Sequence, residues 1–247
     1  MALLELDGVT RRYGALVALD QVAMAVEDGE VRAVIGPNGA GKTTLFNVIT
    51  GDFPATAGRV RFFGEDITEV PAFDRIRMGL RRTYQSSLLF RNLTVWDNLF
   101  LAVRGVARGR FDFRRPRASH PSRAATDELL ERVRLPSVAQ RLVSSLSHGQ
   151  QRQLEIGMAL AGAPRLILFD EPAAGLSPGE RRELVLLLTA LPEHMGFILI
   201  EHDLDIALRV VEQVTVMHNG RVLKHGTPHQ IENDAEVAAI YMGGGRQ

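Results

Sequence analysis

Residues 36–43 read Gly-Pro-Asn-Gly-Ala-Gly-Lys-Thr, directly after the apolar run Val31 to Ile35 and ahead of a helical segment, Thr43 to Thr50, that stops at Gly51. The pattern G-x-x-x-x-G-K-[S/T] between a strand and a helix is a phosphate-binding loop, and that context separates it from a glycine-rich turn with an incidental lysine. Glycines let backbone N–H groups approach anionic oxygens closely, and the helix that follows aims its positive end at the same point. Lys42 supplies a cation between the β- and γ-phosphates, and the Thr43 hydroxyl is a natural Mg²⁺ ligand. Gly36, Asn38, Gly39, Ala40, Gly41, Lys42 and Thr43 form the candidate cradle.

A loop of this kind requires an α/β chain, and the rest of the sequence agrees. At 247 residues it fits one large domain. The first 65 residues read as short strands, Leu3 to Leu6, Val22 to Val26, Val31 to Ile35 and Val60 to Phe63, punctuated by turns. From about 92 to 161 the pattern is helical: Thr94 with Asp97 predicts a capped start, Trp96, Leu99, Phe100 and Val103 recur at helical spacing, and Thr126 predicts a second cap. Two apolar runs, Leu166 to Phe169 and Phe197 to Ile200, flank an amphipathic helix bearing Leu184, Leu187, Leu188 and Leu191, which predicts a β-α-β unit with buried parallel strands. Val214 to Met217 and Arg221 to Leu223 around Asn219-Gly220 predict a hairpin with a type I′ turn, and Thr227-Pro228 opens a further helix.

The first of those apolar runs ends in Asp170-Glu171. A buried strand holds Asp170 rigidly where it can bind Mg²⁺, and Glu171 can polarise a water for in-line attack. Ser147-His-Gly149-Gln150 has capping-box spacing, and a helix start with a free hydroxyl and a glycine is also an anion site.

The segment Leu146 to Ala161, LSHGQQRQLEIGMALA, resembles the signature motif of ABC ATPases, and further matches surround it. Tyr13 resembles the aromatic that stacks on adenine, Gln85 the Q-loop glutamine, AAGLSP the D-loop and His202 the switch histidine. The resemblance spans essentially the whole chain. It implies a P-loop, RecA-like core with an antiparallel β-subdomain (1–87 and 147–247) and an inserted helical subdomain (about 88–146). It also implies ATP and Mg²⁺ as ligands, with Lys42, Thr43 and Thr44 on phosphate and metal, Asp170 and Gln85 on the metal, Glu171 as base and His202 on the γ-phosphate. Ser147, Gly149 and Gln150 would reach the γ-phosphate held by a second protomer. Two positions depart from the family pattern: His148 replaces the usual first glycine of the signature, and Ser177 stands where the D-loop usually has Asp.

Within that superfamily, RRTYQSSLLFRNLTVWDNL, EPAAGLSP and the C-terminal stretch look most like the ATP-binding subunit of branched-chain amino-acid importers. That resemblance implies a motor at the cytoplasmic face of the cell membrane, head to tail with an identical or paralogous cassette. Its permease is a separate chain, and the Gln85 to Asn98 surface, with Leu88, Leu89, Phe90 and Trp96, is expected to dock it. Urea-importer and lipopolysaccharide-export ATPases remain alternatives, since other subunits choose the solute. A non-transport ABC ATPase acting on DNA or ribosomes would resemble a chain with a coiled-coil insertion or two cassettes, neither of which is present, and a P-loop kinase has no use for a signature.

Charge and composition narrow the partners. Lys plus Arg and Asp plus Glu both number 29, so no whole-chain cationic field favours nucleic acid. Arg104, Arg108, Arg110, Arg114, Arg115, Arg117 and Arg123, with Phe111 and Phe113 among them, form one basic stretch, read as a solvated loop or a surface near anionic headgroups. With no cysteine, thiolate metal sites and disulfides are excluded. No apolar run approaches the ~20 residues of a membrane helix, and Glu5 and Asp7 stand where an export signal would be positive.

Overall fold

The computed structural model describes residues 2–84, 88–107, 120–202 and 204–243. Two long strands open the chain, β1 (Ala2–Tyr13) and β2 (Leu16–Glu27), followed by β3 (Val31–Ile35), the loop, and helix α1 (Lys42–Thr50). Then come β4 (Ala57–Phe62), β5 (Glu65–Asp66), α2 (Ala72–Arg77) and β6 (Leu80–Thr83). The helical region holds α3 (Val95–Val106), α4 (Pro121–Arg132), two 3₁₀ turns and α5 (His148–Leu160). The remainder alternates: β7 (Leu166–Asp170), α6 (Pro178–Thr189), β8 (Gly196–Ile200), α7 (Leu204–Val210), β9 (Gln213–His218), β10 (Arg221–Gly226), α8 (Pro228–Glu232) and α9 (Ala235–Gly243).

The strands form two sheets, an antiparallel one in the order β2-β1-β4-β5 and a six-stranded one in the order β10-β9-β3-β8-β7-β6. In the second sheet β9, β3, β8, β7 and β6 are parallel, and only β10 is antiparallel. All five residues of β7 and all five of β8 are buried, as helix-covered parallel strands require. Their alternation divides the core. Ile167 and Phe169 face a cluster completed by α3, α5 and α6, while Leu166 and Leu168 face one shared with Phe46 of α1 and the inner face of the antiparallel sheet. Each such side chain contributes about 1.5–3 kcal/mol on burial.

This topology determines where chemistry can occur. Side by side at one sheet edge stand the C-terminal ends of β3, β8, β7 and β6, leading into Gly36, Glu201-His202, Glu171 and Tyr84. Parallel sheets bind ligands at that edge. β8 lies between β3 and β7, so Asp170 is two strands from the loop strand rather than next to it.

Several local expectations need correction. β1 and β2 run twelve residues each, because register shifts between Leu6 and Val9 and again near Arg11 break the alternation without ending the pairing. β6 was invisible in the pattern because Arg81 and Arg82 occupy half of it. Thr126 does not cap a helix. α4 begins five residues earlier, with Pro121 at its first position and the His120 ring accepting from Ser122 N–H, and Thr126 Oγ1 donates to the Ser122 carbonyl. Leu191 lies past the end of α6. The capping boxes at Thr94 and Ser147 form as expected, the helix opened by Thr227-Pro228 begins there with a box to Gln230, and Asn219 and Gly220 both have positive φ, as a type I′ turn demands.

Arg75 fastens α1 from below. It is 2% exposed, and its guanidinium donates to the carbonyls of Val48, Ile49, Thr68 and Val70, two of them at the C-terminal end of α1. Burial pushes its pKa down to about 10, so it remains a cation at neutral pH. Arg75→Met strands those carbonyls, at about 3 kcal/mol, which lowers the thermal midpoint by roughly 6–12 °C for a domain of this size. Calorimetry checks this, and an unchanged midpoint contradicts it.

Candidate nucleotide site

The phosphate loop is shaped by close approach as well as by ligand chemistry. Gly36 and Gly41 have φ of 149° and 101°, and a Cβ on them would stand 2.2 Å from the Met217 carbonyl oxygen and 2.6 Å from that of Ala18. Glycine is therefore required by the scaffold before any phosphate arrives. Lys42 opens α1, is buried, and donates to the carbonyls of Gly36 (2.7 Å) and Pro37 (3.0 Å). Burial lowers its pKa below the ordinary lysine value, partly offset by the carboxylates of Glu171 and Asp170.

A cleft of about 490 Å³ opens over this loop. Its walls bring together Tyr13, Asn38, Gly39, Ala40, Gly41, Lys42, Thr43, Thr44, Glu171 and His202, with Leu16, Val17, Ala18, Asn219 and Gly220 completing the lining. Tyr13 is 39% exposed; its ring meets Phe53 edge-on at 6.2 Å, and the Arg11 guanidinium lies 4.5 Å from its centroid. A flat ring with an exposed face at the cleft mouth is suited to stacking on a nucleobase.

Glu171 and His202 are paired: Nε2 of the imidazole lies 2.7 Å from Glu171 Oε1. The Glu171 backbone adopts φ of 49°, a left-handed conformation costing on the order of 1–3 kcal/mol in a residue with a side chain. It is held there from both sides, its N–H donating to Ile200 O (2.9 Å) and its carbonyl accepting from Arg152 (3.0 Å).

Asp170, 2% exposed, ends β7 and pairs with Arg82 of β6 at 2.7 Å. The same guanidinium donates to Asn47 Oδ1 (2.6 Å) and Asp52 Oδ2 (3.2 Å), and Tyr84 lies over it at 4.9 Å. Burial and Asp52 hold the Tyr84 hydroxyl above its usual pKa. Arg82 was not among the residues expected from the sequence. Its position just before Gln85 was the available signal, but an arginine in a polar run reads as solvated until β6 is seen beside β7. Gln85 lies outside the described residues, as do 108–119 of the basic stretch. At that stretch's two ends, Arg104 approaches the His120 ring at 3.5 Å, and Arg123 lies 4.8 Å from the centre of Trp96.

Ser147, Gly149 and Gln150 are not brought to this cleft. They line a separate cavity of about 100 Å³ with Leu176, Glu180 and Leu184. Ser147 Oγ accepts from Gln150 N–H, and Gln150 Oε1 accepts from Ser147 N–H. His148 takes the first helical position, where a side chain is accommodated, and its ring packs on Gly175.

A family model for ABC transporters matches residues 19–174. The chain belongs to the ABC transporter family. It is 38% identical over 249 residues to the high-affinity branched-chain amino acid transport ATP-binding protein BraF of Pseudomonas aeruginosa, covering 98% of both chains. It is 31% identical to the lipopolysaccharide export system ATP-binding protein LptB of Haemophilus influenzae, again over 98% of both. In structure it matches the ADP conformation of MJ1267, an ATP-binding cassette of an ABC transporter, with a TM-score of 0.85 at 32% identity, covering 98% of this chain and 99% of that one. As an ABC ATPase it binds nucleotide and couples ATP hydrolysis to transport. No helix among the described residues is long and apolar enough to cross a membrane.

The donors also suit Mg²⁺. Thr43 in the cleft wall offers a hydroxyl, and Asp170, buried at the end of β7 on Arg82, a carboxylate, hard oxygens of the kind the ion takes alongside phosphate oxygens and water. Replacing Arg82 with Met leaves the Asp170 carboxylate buried without its cation, which costs about 3–5 kcal/mol. Urea denaturation measures it, and a midpoint equal to wild type contradicts the role given to Arg82.

Proposed function

We propose that this chain is the motor of an importer that takes up a small solute, branched-chain or other hydrophobic amino acids, through a separate permease. Two copies, or this chain and a paralogue, bind head to tail at the cytoplasmic face of the membrane. The observation that carries the shared-site reading is the division within one chain: phosphate loop, Glu171 and His202 line one cleft, and Ser147 and Gly149 another. The choice of solute is supported by the identity to BraF, higher than that to LptB over equal coverage.

In this reading Tyr13 stacks on adenine, and the loop N–H groups with Lys42 hold the β- and γ-phosphates. Thr43, Asp170 and Gln85 would hold Mg²⁺, which neutralises charge on the phosphate oxygens. Glu171 takes the proton of the attacking water, the 2.7 Å contact with His202 Nε2 holds its carboxylate oriented, and the same Nε2–H turns from the carboxylate to the γ-phosphate when nucleotide binds. Ser147, Gly149 and Gln150 complete the site from the other protomer.

Leu88 and Phe90 are 65% and 52% exposed, beside a cavity of about 220 Å³ with Leu89, Ala102, Val106 and Met158 in its wall. This surface supports docking of a short permease helix. Trp96 takes no part in that wall. It stacks on Phe100 at 4.9 Å and donates to Asp127 at 2.7 Å, inside the helical region.

The test uses the complex purified from its native membrane with permease and second cassette, reconstituted in liposomes. ATP-dependent uptake of labelled leucine is expected, together with its loss in a Leu88→Asp, Phe90→Asp variant. Lys42→Ala should abolish turnover, and Glu171→Gln should slow it about 10²–10⁴-fold while ATP still binds. Wild-type hydrolysis by either variant contradicts the site, ATP turnover without uptake of any branched-chain amino acid contradicts the solute, and undiminished uptake by the double variant contradicts the docking surface.

A further inference from the structure

Glu180, in the first turn of α6, holds two helix ends at once. Its Oε2 accepts from Ser177 N–H (3.0 Å) and Ser177 Oγ (2.8 Å), closing the capping box of its own helix. Its Oε1 crosses to α5, accepting from Gly149 N–H (2.9 Å) and from the Ser147 hydroxyl (3.4 Å). The fit depends on Gly149, where a Cβ would stand 2.5 Å from that oxygen. It depends equally on Ser177, because an aspartate there would set one carboxylate against another where serine donates. With donors from Ser177 and then Gly149, the carboxyl is held below its usual pKa, so it is an anion at neutral pH.

The donors that receive this carboxylate are the ones assigned above to the γ-phosphate of the opposite protomer. We propose that Glu180 is a positioning residue, an internal anion latched onto the signature that ATP-bound closure of the two cassettes must displace. The inference rests on the shared-site reading of Ser147 and Gly149. Two anions cannot share one N–H and one hydroxyl, so arrival of the phosphate releases Oε1. Because Oε2 is bound to Ser177, that release is transmitted along the same side chain to the D-loop. Glu180 thus sets how much ATP is needed to close the dimer and ties signature occupancy to D-loop position.

Glu180→Gln separates charge from structure, since glutamine also closes a capping box. The full-length chain, alone and with its co-purified second cassette, is titrated with ATP in the Glu171→Gln background and followed by light scattering. Adding Glu180→Gln should tighten ATP-dependent association about tenfold, equivalent to ~1.4 kcal/mol, with the thermal midpoint little changed. It should also reduce the salt dependence of association, because a fixed negative charge has been removed from beside the phosphate. Glu180→Ala should likewise tighten association although it lowers the midpoint by loss of the cap. Association that is equal or weaker in both variants overturns the latch and leaves a cap alone. Absence of ATP-dependent association in the Glu171→Gln protein itself, with every partner, overturns the shared site and the latch with it.

Discussion

The phosphate loop sits at a seam where two backbones come closer than any side chain permits. The Met217 carbonyl of the six-stranded sheet and the Ala18 carbonyl of the antiparallel sheet approach Gly36 and Gly41 within the space a Cβ would take. Hydrogen bonds lock the seam: Gly220 N–H donates to Ala40 O, and Asp20 N–H to Gly220 O. The loop is therefore a joint of the fold as well as a ligand cradle, and its shape is fixed by both sheets. Tyr13 reaches the cleft because β1 ends and β2 begins at this joint, and Asn219-Gly220 line it because the β9-β10 turn lies there too.

From the joint outward, the site is assembled by strand order. Neighbouring parallel strand ends deliver Gly36, His202, Glu171 and Tyr84 in sequence along one edge, so side chains far apart in the chain need no long loops to meet. Arg82 adds the electrostatic counterpart. It binds Asp170 of β7, Asn47 of α1 and Asp52 just beyond that helix, linking the carboxylate at the end of β7 to the far end of the phosphate-loop helix. Arg75 binds carbonyls of the same helix end. Two buried arginines thus stiffen the helix whose other end holds Lys42.

Much of this was legible in sequence, and the reasons are physical. The loop, the two buried strands, the hairpin turn, two capping boxes and the helix start at Thr227-Pro228 are local: their residue types satisfy backbone groups within a few positions. What stayed hidden depends on distant partners. β6 carries two arginines because one of them meets Asp170 across the sheet, and no neighbour in sequence announces that. Glu180 gives no sign in sequence of its bond to α5, because Gly149 lies 31 positions away. Trp96 reads as a surface group until Phe100, Asp127 and Arg123 close around it. Thr126 misled because a threonine ahead of acidic residues satisfies a cap rule, while Pro121 and His120 had already started the helix.

The central claim is that each catalytic site is completed by a second chain. This chain has no native cysteine, so its engineered thiols are the only ones it brings to a crosslinking test, and a paralogous partner is first freed of its own. Asn38→Cys on one chain and Ser145→Cys on the other place thiols at the phosphate loop and just ahead of the signature, in Glu171→Gln protein mixed with its co-purified cassette. A short bifunctional crosslinker should join two different chains, in proportion to added ATP and not with ADP. No crosslink with ATP, or crosslinking between chains to the same extent without nucleotide, while ATP binding is intact, would contradict the account.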